Sequence, residues 1–403
     1  MEARVETLAR AAYGRLLAIL AAKTGDIAAA EDALADAFAE ALVRWPRDGA
    51  PEKPEAWLLT VARNRWRDRV KSAANRTAAP LEAAEDAALA AVDPDDVPDD
   101  RLALMFVAAH PAIDAGVRAP LMLQAVLGLD AARIGAAFLI PPAAMAQRLV
   151  RAKAKIKRAR IPFEPPGRAE LPARLEAVLE AIYGAYALDW TAPASPHGLT
   201  AEALFLADLT VSLLPDEPEA LGLAALLAYS HARRAARRDR SLYVPLDEQD
   251  AGLWDRAAIV RGDMLLAKAQ AAGRIGRFQL EAAIQAAHCA RRPGEAPNWP
   301  AIAALYEGLA KIAPTLGAAV GRAAAFGEAF GPEAGLDALG QIAAKDARSF
   351  QPYWAAKARL LREAGSAEAA AAYAKVINLC TDPAARRWLE VEAKKVGGPA
   401  KTP

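Results

Sequence analysis

The sequence predicts an all-α protein, and three observations carry that prediction. Apolar residues recur at steps of three and four through most of the chain, the spacing of one helix face. Period-two runs rich in β-branched residues are nearly absent. The composition is 54% hydrophobic and 25% charged, with abundant alanine, which suits packed helices and excludes a disordered chain.

Taken from the N-terminus, residues 1 to about 75 read as helical. The stretch 26–45, DIAAAEDALADAFAEALVRW, places Ile27, Leu34, Phe38 and Leu42 as a buried stripe. Asp26, Glu31, Asp32, Asp36 and Glu40 leave its other side acidic, a pattern that a merely solvated face would also give. The loop PRDGAPEKP separates it from the helix EAWLLTVARNRWRDRVKS. There Leu59, Ala62, Trp66 and Val70 share an apolar face, and Arg63, Arg65, Arg67, Arg69 and Lys71 stand against the single acid Asp68.

Residues 76–100 read as a flexible acidic linker, with eight acids between Glu82 and Asp100. A second helical unit follows over 101–160. Its helix at Leu121–Leu127 ends at Gly128, and Asp130 is placed to cap the next helix by accepting free backbone N–H bonds. Ile134, Ala137 and Phe138 make that helix's apolar side, Ile140-Pro141-Pro142 stops it, and Pro142 suits the first turn of a further helix. In this last helix Met145, Leu149, Ala152 and Ile156 form the core stripe, while the span 141–160 holds seven Arg or Lys and no acid. Helix, short turn and basic second helix is the helix-turn-helix arrangement, whose second helix enters the major groove of DNA. Ala143 and Ala144 would let the backbone approach the groove. Gln147 and Arg148 suit base edges, and Arg151, Lys153 and Lys155 suit phosphates.

Residues 161–172, IPFEPPGRAELP, form a stiffer joint, and 173–403 read as a large Ala-rich helical domain. At an offset of 34 residues Gly331 falls on Gly365, Ala338 on Ala372 and Leu339 on Tyr373, and another step back places Leu305 under Leu339. That period is the tetratricopeptide one, with an ordinary helical bundle as the alternative.

Several function classes find no support. No run approaches the roughly 20 apolar residues of a membrane span. Positions 1–25 scatter Arg4, Arg10, Arg15 and Lys23 along a helix, unlike a signal peptide, so a cytoplasmic protein is expected. Cys289 and Cys380 are expected as buried free thiols. The four histidines at 110, 197, 231 and 288 are scattered, and no metal-ligand spacing, phosphate-cradling glycine loop or nucleophile elbow occurs. A protein that is not an enzyme and takes no metal or cofactor is expected.

With these motifs in hand, the sequence resembles the extracytoplasmic-function sigma factors of bacterial RNA polymerase, in the sigma-70 family. GDIAAAEDALADAFAEAL is similar to the polymerase-binding helix of sigma region 2, and PEAWLLTVARNRWRDRV to the helices that recognise and melt the −10 element. HPAI with LDAARIGAAFLIPPAAMAQRLVRAKAKIK is similar to region 4, which binds the −35 element. FLIPPAAMAQRLVRAK, DEQDAGLWDRA, GRFQLEAAIQAAH and WPAIAALYEGL resemble the subgroup with a long C-terminal helical extension, so the likeness covers nearly the whole chain. It departs from that subgroup at Ala108 and Ala109, where paired cysteines are usual, at Arg133, where an acid is usual, and at AYALDW, residues 185–190.

The resemblance implies core RNA polymerase and promoter DNA as partners, and a protein partner for a tetratricopeptide-like extension that modulates activity. Asp26, Glu31, Asp32, Asp36 and Glu40 would dock on the clamp of the polymerase's largest subunit. Trp57, Arg63, Asn64, Arg65, Arg69 and Lys71 would hold the −10 region. Ala143, Ala144, Gln147, Arg148, Arg151 and Lys155 would read the −35 duplex. The alternatives are a helix-turn-helix regulator that does not bind polymerase and a helical scaffold with a vestigial sigma module.

Overall fold

A computed structural model describes residues 2–77, 101–191, 199–291 and 295–396, except 139, 162, 164–166, 168–169 and 240–241. The linker expected over 76–100 lies almost wholly outside the described residues, as does His197. The chain divides into two compact units. One comprises residues 1–190 with 195–206, the other 191–194 with 207–403. The all-α expectation holds, with one two-residue antiparallel pair, Arg238–Asp239 against Leu242–Tyr243, as the described exception.

The first unit begins with α1 (Glu2–Thr24), α2 (Ile27–Asp48) and α3 (Pro54–Thr77). Asp26 caps α2 by accepting the Ala29 N–H at 3.2 Å. The buried face of α2 differs from the expected stripe. Ile27 and Leu34 are buried, but the line continues through Ala37, Ala41 and Trp45, Phe38 is half-buried, and Leu42 is 43% exposed. The reason is helical phase: at about 100° per residue Ala41 lies nearly in line with Leu34, whereas Leu42 is rotated by about 80°.

Next come α4 (Arg101–Ala108), α5 (Ala115–Leu127), α6 (Ala131–Ala137) and α7 (Pro142–Ala159). Gly128 ends α5 in the left-handed conformation, Asp130 accepts the Arg133 N–H at 2.8 Å, and Pro142 starts α7. Met145, Leu149, Ala152 and Ile156 are all buried, as the spacing requires. Burying each of the three large ones contributes about 1.5–3 kcal/mol. Phe138 is 37% exposed, so Ile134 alone anchors α6 firmly among the residues whose side chains are described there.

The helices of 2–77 and of 101–159 pack together. Gly14, inside α1, lies so close to α5 that a Cβ there would sit 1.9 Å from the Val126 carbonyl oxygen. Glycine inside a helix costs roughly 0.5–1 kcal/mol relative to alanine, and here this backbone approach requires it. Helix α8 (Leu171–Thr191) also belongs to this unit over most of its length. Its buried Arg174 donates to the Phe106 carbonyl, and Arg101 pairs with Glu202 in the first turn of α9 (Leu199–Leu213).

The second unit contains α10 (Pro218–Ala232), α11 (Arg256–Ala271), α12 (Arg277–Cys289), α13 (Trp299–Ile312), α14 (Leu316–Phe330), α15 (Pro332–Gly340), α16 (Ala344–Ala347), α17 (Gln351–Glu363), α18 (Ala369–Leu379) and α19 (Pro383–Ala393). Almost every side chain of α10 is buried, and its Tyr229 donates to Asp263 on α11 at 2.7 Å. The 34-residue offset falls on like positions. Gly331 and Gly365 both have positive φ and both precede a helix carrying a buried pair, Ala338 and Leu339 or Ala372 and Tyr373. Cys289 and Cys380 are free and buried.

Candidate nucleic-acid interface

The three groups of sequence-predicted residues lie on α2, α3 and α7, and the first unit joins them through ion pairs. Glu40 on α2 accepts Arg65 from α3 at 2.9 Å, with Arg44 one turn along also at 2.9 Å. Arg69 spans Asp32 at 3.1 Å and Asp36 at 2.6 Å. From the other side, Lys153 of α7 reaches Glu31 at 2.5 Å, and Lys157 reaches the second oxygen of Asp26 at 2.7 Å. The acids expected to meet polymerase are therefore already partnered by basic residues of this chain.

Exposure separates these acids. Asp32 and Asp36 stay open at 70% and 43%, whereas Asp26, Glu31 and Glu40 keep 13 to 17%. Burial is the largest influence on Glu31 and raises its carboxyl above the ordinary range, with Asp32 and Asp26 adding to the rise against the hydrogen bond and charge of Lys153. One of its oxygens, Oε1, has no hydrogen-bond partner among the described residues. Desolvation outweighs the lysine here, as expected for a charge moved out of water with only one good partner.

On α3, Asn64, Arg65, Arg69 and Lys71 are exposed, Arg63 and Trp57 half-buried. Trp57 packs edge-on against Trp45 of α2, ring centroids 5.5 Å apart. This contact, with the arginine pairs, fixes α3 against α2. Trp66 and Val70, expected as core, are only half-buried. They line a cleft of about 580 Å³ together with Arg69, Lys157, Arg160, Ile161 and Phe163.

On α7 the residues expected at DNA form an open edge. Ala143, Gln147, Arg148, Arg151 and Lys155 are exposed and Ala144 partly so. Arg148 and Lys155 make no ion pair among the described residues, and Arg151 only bonds back to the Gln147 carbonyl at 3.4 Å. Lys153 and Lys157 lie on a different face of the helix, turned to α2. Lys153, expected on a phosphate, is instead taken by Glu31, and Lys157 by Asp26, because acids on a distant helix select them. Sequence reasoning missed Leu42 and Val43, 43% and 58% exposed beside Glu40. Among the described residues no group of His, Cys, Asp or Glu could hold a metal ion, and no helix is long and apolar enough to cross a membrane.

Two stretches of the chain match known families. Residues 8–76, which hold most of α1, all of α2 and nearly all of α3, match sigma-70 region 2. Residues 174–270 match a family of unknown function, DUF6596. The chain is 35% identical over 376 residues to Uncharacterized protein R00370 of Rhizobium meliloti (strain 1021), a span that covers 90% of this chain and 89% of that protein. No solved structure matches. The chain belongs to the family of that Rhizobium protein, and it carries a sigma-70 region 2 domain, which supports a sigma-70 family factor with a role in transcription initiation.

Proposed function

We propose that the chain is a sigma factor of the extracytoplasmic-function type that directs core RNA polymerase to its own promoters. The observation that carries this reading is the sigma-70 region 2 match, which falls on the acidic α2 and the arginine-rich α3. Helix α2 docks on polymerase through Asp32 and Asp36, with Leu42 and Val43 as an apolar neighbour patch, and through Asp26, Glu31 and Glu40 once these are released. Helix α3, with Trp57, Arg63, Asn64, Arg65, Arg69 and Lys71, holds the −10 region, where a basic groove with aromatic surface suits an unpaired strand. Helices α6 and α7 act as a helix-turn-helix that reads the −35 duplex through Gln147 and Arg148, with Arg151 and Lys155 on phosphates. Run-off transcription with core polymerase on genomic fragments tests the reading. Promoter-specific transcripts support it, and no transcript alongside no co-purification with polymerase sinks it.

The extension modulates this activity as a tetratricopeptide-like domain. Its first helix carries Arg174, which bonds to α4, so the cut point matters. A chain ended near residue 165 loses α8 and the Glu202 partner of Arg101, and it should melt earlier and lose transcription. A chain ended after Leu213 keeps both contacts. Loss of transcripts from this longer chain, with polymerase binding measured alongside, assigns the modulation to the remaining helices. Transcripts equal to full length would mean those helices serve another partner.

A further inference from the structure

The segments DEQDAGLWDRA and WPAIAALYEGL, which the function proposed above leaves unused, meet in the second unit at a cleft of about 410 Å³. Asp247 and Asp250 line it from the turn at Leu246–Glu248 and its exit, Glu295 from the approach to α13, and Glu328 from α14. We propose that this cleft binds an organic cation carrying a guanidinium group. The acids meet its charge, Gln249 Oε1 accepts one of its N–H groups, and the Trp299 indole stacks on its plane. Binding needs only residues of the second unit and stands apart from the sigma reading.

What separates this cleft from a patch of surface acids is Gln249, which lines it. Gln249 is 8% exposed, and its Nε2 donates to the Val244 carbonyl at 3.2 Å. That bond holds the amide in place, yet the buried Oε1 has no hydrogen-bond partner among the described residues. An acceptor withdrawn from water and left unmet is costly, and a donor brought by a ligand relieves that cost.

Negative charge is in excess here. Among the described residues four acids line the cleft against one cation, Arg291. The Arg291 guanidinium is spent on the wall itself. It donates to the carbonyls of Leu246 at 2.7 Å, Gln249 at 2.9 Å and Asp247 at 3.3 Å, and lies 4.9 Å from the Trp254 ring centroid. Arg359 of α17 is divided among Asp247, Glu328 and Glu363. Asp250 makes no ion pair among the described residues, and its Oδ1 accepts the Gly252 N–H at 2.8 Å. Burial above all, with the charges of Glu363 and Asp247, raises the Glu328 carboxyl above its ordinary range despite Arg359. Such a site repels an anion. A bare metal ion is not suited either, since no described group of His, Cys, Asp or Glu could hold one. Acids spaced around an opening suit a wider cation. Guanidinium is planar, weakly hydrated and stacks on indole, as Arg291 does on Trp254. Trp299 offers a second indole, half-buried and edge-on to His288 with ring centroids 5.4 Å apart. Burial, with Arg233 and Arg291, pushes the His288 pKa down to about 3, so the ring beside Trp299 is neutral near pH 7 and does not oppose a cation.

Titration calorimetry on the full-length chain tests this with agmatine, with an acetylated and amidated peptide holding one central arginine, and with the same peptide holding neutral citrulline instead. Agmatine or the arginine peptide should bind, more weakly as salt rises, and the citrulline peptide should not. Tighter binding of agmatine assigns the ligand to a free small molecule, and tighter binding of the peptide assigns it to a basic protein segment; either supports the site. Asp250→Asn with Glu295→Gln should weaken the bound probe on the order of fivefold. The melting curve should stay unchanged, because both residues are exposed and Asn keeps an acceptor for Gly252. Trp299→Leu should weaken it on the order of threefold. Asp216→Asn, at an exposed acid outside the cleft, should leave it unchanged. No binding of either guanidinium probe, equal binding of the citrulline peptide, or full affinity in the Asp250 and Glu295 variant would overturn the proposal. None of these readouts involves polymerase or promoter DNA, so failure here leaves the sigma reading standing, and a failed run-off assay leaves this site standing.

Discussion

Helices α3 and α7 are both basic and both amphipathic, yet they stand in opposite electrostatic states. The exposed arginines of α3 are engaged: Arg65 with Glu40, and Arg69 with Asp32 and Asp36. The exposed edge of α7 holds Arg148 and Lys155 with no ion pair among the described residues. A count of positive charges treats the two helices alike, whereas the fold makes one available at once and the other only after release. The difference teaches that a binding surface is set by where the neighbouring acids sit as much as by its own residues.

The largest expected effect breaks the open side of that comparison. Arg148→Ala with Arg151→Ala should cost about 1–3 kcal/mol for a bidentate base contact and lower the salt slope by about one for a phosphate contact. Anisotropy titrations of labelled promoter duplex across a salt series measure both. Arg65→Ala with Arg69→Ala should cost less in the same titration, because those guanidinium groups must first leave their acids. If the α3 pair cost more, the comparison would be inverted.

A middle-sized effect sharpens the engaged side. Asp32→Lys with Asp36→Lys should lower polymerase affinity on the order of tenfold, about 1.4 kcal/mol. It also frees Arg69, so duplex affinity should rise as α3 comes to resemble α7. Both acids are largely exposed, so the melting free energy should stay within about half a kcal/mol. Normal polymerase binding with a normal melt would favour a DNA-binding regulator over a sigma factor.

The smallest effect concerns Glu31, which faces Lys153 from α7, Tyr13 from α1, and Asp26 and Asp32 on its own helix. Its folded pKa is raised, mainly by burial, so its contribution to stability is fully present below the ordinary carboxylate range and is lost as pH rises through the folded value. Glu31→Gln should flatten that part of a melting-temperature profile against pH. A profile that kept its slope would assign the dependence to another carboxyl.

Much of this architecture was legible in the sequence because it is local. Asp26, Gly128, Asp130 and Pro142 mark helix boundaries through bonds or dihedrals within a few residues, and the stripe from Met145 to Ile156 needs only the helical period. Ile27 and Leu34 lie on the buried face that the period predicts, but Leu42 does not, because helical phase carries that face onto Ala37, Ala41 and Trp45. What stayed hidden depends on partners far along the chain. No local rule pairs Lys153 with Glu31 across 122 positions. Nothing near Gly14 announces the Val126 carbonyl, and the Pro-rich stretch at 161–172 looks like the end of a domain although α8 packs back onto the first unit. The candidate site was legible as a set of residues, and its state of engagement was not.

Asp26 divides its two carboxylate oxygens between two tasks. Oδ1 accepts the Ala29 N–H and starts α2, while Oδ2 meets Lys157. Breaking the Lys157 pair would pass Oδ2 to water and leave the cap in place. The start of α2 is thus insulated from whatever happens to that ion pair. Under the proposed function, a partner's basic group could take Oδ2 from Lys157 while α2 keeps its full length, so the exchange would need no refolding of the helix.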